Sequence, residues 1–199
     1  HVHRVVERRN TIPILSNVLL SAEGASLEMK ATDLDLEVTE ATPAKVERGG
    51  ATTVPAHLLY DIVRKLSDGA EVMLKTDEDG NAMTVTSGRS SFRLQCLPQS
   101  DFPELSAGSF SHIFRLESAA LKGLIDKTQF AISTEETRYY LNGIYLHTVE
   151  VGGKLKLRSV ATDGHRLARA EIDAPAGSEG MPGIIIPRKT VSELQKLID

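Results

Sequence analysis

A single cysteine, no apolar run long enough to cross a bilayer and an aromatic content of 5% mark this 199-residue sequence by what it rules out. The lone Cys96 cannot close an internal disulfide or supply a cysteine pair for zinc. It ends the alternating run Phe92, Leu94, Cys96, which predicts a buried, reduced thiol of a cytosolic protein rather than a nucleophile. Without some eighteen consecutive apolar residues no segment spans a membrane. The first ten residues, HVHRVVERRN, lack the apolar core of a signal peptide. A glycine-rich phosphate loop, a Gly-x-Ser-x-Gly elbow and a His-Glu-x-x-His zinc motif are also missing, so no catalytic residue, metal or cofactor is expected. The net charge of −4 argues against a uniformly basic nucleic-acid coat. It leaves room for a local basic surface, because fields follow the placement of charges rather than their sum. His1, His3, Arg4, Arg8 and Arg9 do crowd one end, where a solvated helix terminus is the plainer explanation.

What is present is a repeated hairpin. Leu155 and Leu157 alternate with Lys156 and Arg158, and Leu167 alternates with Arg166 and Ala168. Asp163-Gly164 between these runs predicts a tight turn, since glycine takes positive φ freely and aspartate tolerates it. The tripeptide Ala161-Thr162-Asp163 has a counterpart in Ala31-Thr32-Asp33, 130 residues earlier.

The rest of the chain follows the same two-part plan. Val2, Val5 and Val6 predict the tail of a helix over 1–7. Strands are expected over 14–22, over 26–31, along the alternation Leu34, Leu36, Val38, and over 52–55. Pro55 opens a helix whose apolar stripe is Leu58, Leu59, Ile62, Val63 and Leu66, closed by Asp68-Gly69. Strand-like runs over 72–75, 82–86 and 91–97 follow, then a linker over 101–109. Beyond it come a short strand over 113–116, a helix from Glu117 to about Ile132, a strand over 139–147, the hairpin, a strand over 184–186, and a last helix opened by Pro187.

Laid side by side, Asn17 falls on Asn142, Asp33 on Asp163 and Pro55 on Pro187, at offsets of 125, 130 and 132. Offsets that drift only by loop-sized amounts signal a duplicated domain. The expected class is therefore α+β, with domains over 1–109 and 110–199. Ile113 lies 29 residues before Asn142 but His1 only 16 before Asn17, and the second repeat stops soon after Leu197 without an initiating Met at the other end. The expectation is a piece of a longer protein, lacking the start of the first domain and the last strands of the second.

Two groups of residues carry chemical interest. Asp163 and His165 sit two apart at one turn and could be half of a triad, although no Ser or Cys is tied to them, and a histidine there equally serves structure or contact. Arg138-Tyr139-Tyr140 suits a polar-aromatic contact surface, because tyrosine offers an apolar face and a donor tip. Alternation would instead make one ring core and leave the other on the surface.

The stretches Arg138-Tyr139-Tyr140-Leu141-Asn142-Gly143, Val160 to Ala168 and Ile186-Pro187-Arg188-Lys189 resemble the middle domain of the bacterial DNA polymerase III beta subunit family, the sliding clamps. Thr11 to Asn17, Ala51 to Ala56, Ser87-Gly88-Arg89-Ser90 and Asp101-Phe102-Pro103 resemble its first domain. The likeness covers the whole chain and implies a family built of three copies of one domain, the third being absent here.

The resemblance implies antiparallel sheets outside and two helices per domain on the inner face of a head-to-tail dimeric ring around duplex DNA. Contacts there are to phosphates, without regard to sequence. It implies DNA binding by Arg9, Tyr139 and Tyr140, with Arg4, Lys122 and Lys127 as further candidates, and an unfavourable carboxylate at Glu135. It further implies a groove for short peptides of polymerase subunits, the clamp loader and repair proteins, formed by Arg138, Leu141, Thr162, Gly164, His165, Arg166 and Leu167, with Tyr140 beside them. Leu58, Ile62, Phe92 and Leu94 match the subunit interface, though some could be core. The implied protein is a non-enzymatic, cytoplasmic processivity factor. The alternatives are an enzyme using Asp163 and His165, or a duplicated protein-interaction module with no DNA role.

Overall fold

The structure, a computed structural model, describes residues 2–6, 11–104, 109–135 and 137–198. It divides into two compact units, His1–Ser106 and Ala107–Asp199. In the first, β1 (Asn17–Glu23), β2 (Ser26–Thr32), β3 (Glu37–Pro43) and β4 (Gly50–Pro55) form a sheet in the order β3-β2-β1-β4. Helix α1 (Ala56–Val63) follows, then β5 (Met73–Thr76), β6 (Ala82–Ser87) and β7 (Ser90–Gln95), a second sheet in sequence order. In the second unit, α2 (Ser118–Asp126) precedes β8 (Gly143–Val151), β9 (Lys154–Thr162), β10 (Leu167–Asp173) and β11 (Ile184–Pro187), ordered β10-β9-β8-β11, and α3 (Arg188–Ile198) follows. The pairings are antiparallel, and the class is α+β. The two four-stranded orders are the same order, strand for strand, so the duplication expected from the sequence is present in the topology.

Alternation explains which faces are buried. Val18 and Leu20 of β1 meet Val54 of β4, Ile62 of α1, and Met83, Val85 and Leu94 from the second sheet, and the free thiol of Cys96 is enclosed with them. In the second unit Ile144, Ala161 and Ala168 pack under Ile125 and Val191 of α2 and α3. A polar tie closes the first core: Asn17 donates its side-chain amide to Thr53 Oγ1 at 2.9 Å, and Thr53 donates onward to the Leu97 carbonyl at 2.9 Å. Paired in this way, both buried polar groups avoid the cost of desolvation without a partner.

Several elements differ from the expectation. The opening helix is a single 3-10 turn, Val2–Arg4, although Val2, Val5 and Val6 are buried as their spacing required. Among the described residues the first unit therefore holds one α-helix, not two. That helix ends at Val63, and Leu58 and Val63 of its stripe face outward. Helix α2 ends at Asp126 because Thr128, fully buried, turns its hydroxyl back onto the Leu124 carbonyl at 2.7 Å; a 3-10 turn, Gln129–Ala131, then redirects the chain. Residues 113–116 are extended but join no sheet; Phe114 and Leu116 alternate because they pack on Leu124, Leu146 and Leu157. Ile14 lies in a 3-10 turn, Pro13–Ser16, and Tyr139–Leu141 form another, so the strands begin at Asn17 and Gly143.

The two hairpins share one construction. The ladder closes at Thr32 with Glu37 and at Thr162 with Leu167, leaving four-residue loops rather than the two-residue turn expected at Asp163-Gly164. Residues 34–36, read as strand, belong to the first loop. In each loop the threonine Oγ1 accepts the N–H two residues on, from Leu34 at 3.0 Å and from Gly164 at 3.1 Å. The aspartate Oδ1 accepts the next two N–H groups: Asp35 at 3.1 Å and Leu36 at 2.8 Å in the first, His165 and Arg166 at 3.0 Å each in the second. The residue inside this cage has positive φ, 80° at Leu34 and 90° at Gly164. Glycine accepts that conformation freely, while leucine carries a steric penalty on the order of 1–2 kcal/mol.

The backbone N–H groups of His165 and Arg166, with the Arg166 guanidinium adding to them, hold the Asp163 carboxyl below the ordinary carboxylate range. A depressed folded-state pKa contributes order that is complete above the unfolded value, roughly pH 4, and is lost as pH falls through the folded one. Asp163→Ala is expected to speed amide hydrogen exchange at His165 and Arg166 while leaving Leu157 protected, and Asp163→Asn, whose side-chain oxygen still accepts, to do so less. In the unsubstituted protein, exchange corrected for its intrinsic pH dependence should stay slow until the pH drops below that range. Gly143 supplies a second check. A Cβ there would collide with the Ile186 carbonyl and stand 2.8 Å from Ile185 Cγ2. Gly143→Ala should destabilise the fold by about 1–3 kcal/mol in denaturant titrations.

Candidate functional site

Three short segments meet around the β9–β10 loop: the loop itself, the 3-10 turn Gln129–Ala131, and the 3-10 turn Tyr139–Leu141. Arg166 joins the first two. Its Nε donates to Asp163 Oδ2 at 2.9 Å, its Nη2 donates to the Phe130 carbonyl at 2.6 Å, and its guanidinium lies 5.5 Å from the centre of the Phe130 ring. Arg138 reaches toward the loop from the third segment. Its Nη1 would lie at ordinary contact distance, 3.5 Å, from a Cβ on Gly164, so glycine there answers to the positive φ rather than to a lack of room. Leu141 is half-buried, and its carbonyl accepts the Ser133 N–H at 3.1 Å.

The expected peptide-binding residues thus fall in one neighbourhood, with different duties. Thr162 donates its hydroxyl to the Arg166 carbonyl at 2.7 Å and, with Gly164 and Asp163, builds the loop. His165 and Arg166 are displayed by it. Leu167, expected to line a pocket, is 65% exposed. A cavity of about 560 Å³ in this unit is lined by other residues, among them Arg115, Leu116, Ala120, Ile172 and Pro175. Phe130, 57% exposed, was not singled out from the sequence. Its position inside what read as a helix hid it, and a large ring preceded by the buried Thr128 was the available signal.

Tyr139 and Tyr140 are both on the surface, their rings edge to face at 5.6 Å. Neither is core, because a 3-10 turn does not alternate faces as a strand does. Arg9 lies outside the described residues. The Glu135 carboxylate is matched by Arg138 Nε at 3.0 Å, which offsets the repulsion it would offer a phosphate. Asp163 commits Oδ1 to two backbone groups and Oδ2 to Arg166, so its chemistry is consumed by the loop rather than directed at His165 as in a triad.

Of the four residues matched to a subunit interface, Leu58 and Phe92 are exposed, while Ile62 and Leu94 lie in the core of the first unit. The exposed pair alone presents its side chains to solvent. Phe92 is on β7, an edge strand of the three-stranded sheet. Among the described residues no cluster of three or more His, Cys, Asp or Glu is placed to hold a metal ion, and no helix is long and apolar enough to cross a membrane.

Known proteins share this arrangement along the whole chain. Residues 1–106 match the family model of the DNA polymerase III beta subunit N-terminal domain, and residues 115–199 that of its central domain. The chain is 56% identical over 199 residues to a protein of Caulobacter vibrioides named beta sliding clamp, covering 100% of this chain and 54% of that protein. It is 42% identical over 194 residues to the beta sliding clamp of Escherichia coli, covering 96% of this chain and 50% of that protein. Among solved structures, a sliding clamp from Bartonella birtlesii bound to griselimycin aligns with TM-score 0.94 at 64% identity over 99% of this chain and 52% of the other. A C. crescentus beta sliding clamp with PEG bound aligns with TM-score 0.96 at 57% identity over 100% of this chain and 53% of the other. The chain spans about half the length of these relatives. With both of its units matched in order, the chain belongs to the DNA polymerase III beta subunit family.

Proposed function

We propose that this chain contributes two of three domains to a sliding clamp, the first within 1–109 and the second within 110–199. Two copies of the whole protein would close head to tail around duplex DNA in the cytoplasm. The protein catalyses nothing; it holds replicative and repair polymerases and the clamp loader near the template by docking their short, extended peptides. The observation that carries this is the β9–β10 loop, where a self-satisfied turn displays His165 and Arg166 beside the exposed side chains of Leu167 and Phe130. Such a surface offers what an extended peptide needs, apolar area interrupted by a few fixed donors.

Tyr139 and Tyr140 form a second surface, with Arg9 as the expected cation. Exposed rings with hydroxyl tips suit sequence-blind contact with a sugar-phosphate backbone. Leu58 and Phe92 would meet the next subunit. An acidic chain of net charge −4 is compatible with this reading, because a ring retains DNA by enclosure and does not require strong attraction.

Two outcomes test the proposal on the full-length protein. After a clamp loader closes it on DNA, the protein should stay on a circular plasmid through gel filtration and leave once the circle is cut. Equal behaviour on both forms would favour a duplicated interaction module instead. Replacing Tyr139 by Ala should reduce loading on DNA without changing its salt dependence, because a neutral side chain displaces no counterion, while leaving the affinity for a partner peptide within about twofold. A matching loss of both would mean that Tyr139 shapes the second unit as a whole.

A further inference from the structure

The duplication separates what a loop needs in order to form from what has been added to it. The threonine and aspartate cage is common to both loops, so it is the requirement for the turn. The link between Arg166 and Phe130 is not shared. Leu36 occupies the position of Arg166 in the first loop and has no donor with which to make it. In the second loop the same position reaches across to a different segment, donates 2.6 Å to its carbonyl and lies over its ring. A ring that is 57% exposed and covered by a cation contributes little to the core. Its turn is nevertheless fixed firmly, by the fully buried Thr128 before it and Ala131 after it.

We propose that Phe130 is a positioning residue for partner binding: its carbonyl and ring fix the Arg166 guanidinium so that the remaining donor edge faces an incoming peptide. This rests on the peptide-docking function proposed above. With Nε held by Asp163 and Nη2 by the Phe130 carbonyl, the Nη1 edge is presented in a set direction. Its complement is an oxygen acceptor, the main-chain carbonyl or terminal carboxylate of an extended peptide. Arginine held in advance loses less side-chain freedom on binding than a mobile one.

The test is a double-mutant cycle on the full-length protein. Affinity is read by fluorescence anisotropy with a short labelled peptide carrying leucines at alternate positions and a free C-terminal carboxylate. Phe130→Ala should weaken binding about fivefold, the scale of one cation–π contact. Phe130→Tyr, which keeps the ring, should bind as the unsubstituted protein does, and Phe130→Leu should resemble Phe130→Ala. In an Arg166→Ala background, Phe130→Ala should cost nothing further. Unchanged affinity in Phe130→Ala, or an equal loss with and without Arg166, would overturn the assignment while leaving peptide docking intact. Failure of the unsubstituted protein to bind the peptide would overturn the docking function and this assignment with it.

Discussion

An ionised carboxylate folded back over its own loop is the contact on which both hairpins depend. At Asp33 and again at Asp163, one oxygen receives two successive backbone N–H groups that would otherwise point into the empty centre of the turn. Charge-assisted bonds of this kind are stronger than neutral ones and require the charged form. The threonine before each aspartate receives a third N–H. With its donors satisfied internally, the loop needs nothing from the rest of the protein. Its remaining side chains are therefore free to vary, and they have: Leu34, Asp35 and Leu36 in one copy, Gly164, His165 and Arg166 in the other.

That freedom explains how a duplicated fold becomes asymmetric. The first loop keeps Leu34 at φ 80°, a strained conformation, while the second relieves the same position with Gly164. The first displays carboxylate and leucine, the second imidazole and guanidinium. Strand order and the antiparallel sense are unchanged between the copies, and the ladders flanking the two loops close alike, at Thr32 with Glu37 and at Thr162 with Leu167.

Much of this was legible in the sequence, for reasons that can be stated residue by residue. The pairings of Asp33 with Asp163 and Pro55 with Pro187 mark a turn and a helix start in both units, while Asn17 opens β1 and Asn142 stands one residue before β8. Periodicity served less well, because it reports burial rather than hydrogen bonding. Phe114 and Leu116 alternate without any strand partner, and Val2, Val5 and Val6 are buried without forming an α-helix. Leu58 and Ile62 share one helical stripe and were both matched to an interface, and the stripe alone could not tell that Leu58 is exposed while Ile62 is buried. The roles of Tyr139 and Tyr140 could not be separated by alternation once the backbone became a 3-10 turn. Phe130 was invisible for a related reason: the helix containing it ends early at a threonine whose hydroxyl competes for the carbonyl of Leu124.

The same early ending has a consequence for the site. The 3-10 turn that follows the end of α2 spends the carbonyls of Thr128 and Gln129 on the N–H groups of Ala131 and Ile132, and the Phe130 carbonyl is taken up by Arg166. A buried hydroxyl thus sets the direction of an exposed guanidinium two segments away, through one backbone acceptor. The first unit has no equivalent of α2 among its described residues and a leucine in place of the arginine, so neither half of the arrangement exists there. The two changes make sense only together. An arginine without a free acceptor would be mobile and a poor guide for a peptide, and an open carbonyl without a donor would have only solvent to satisfy it.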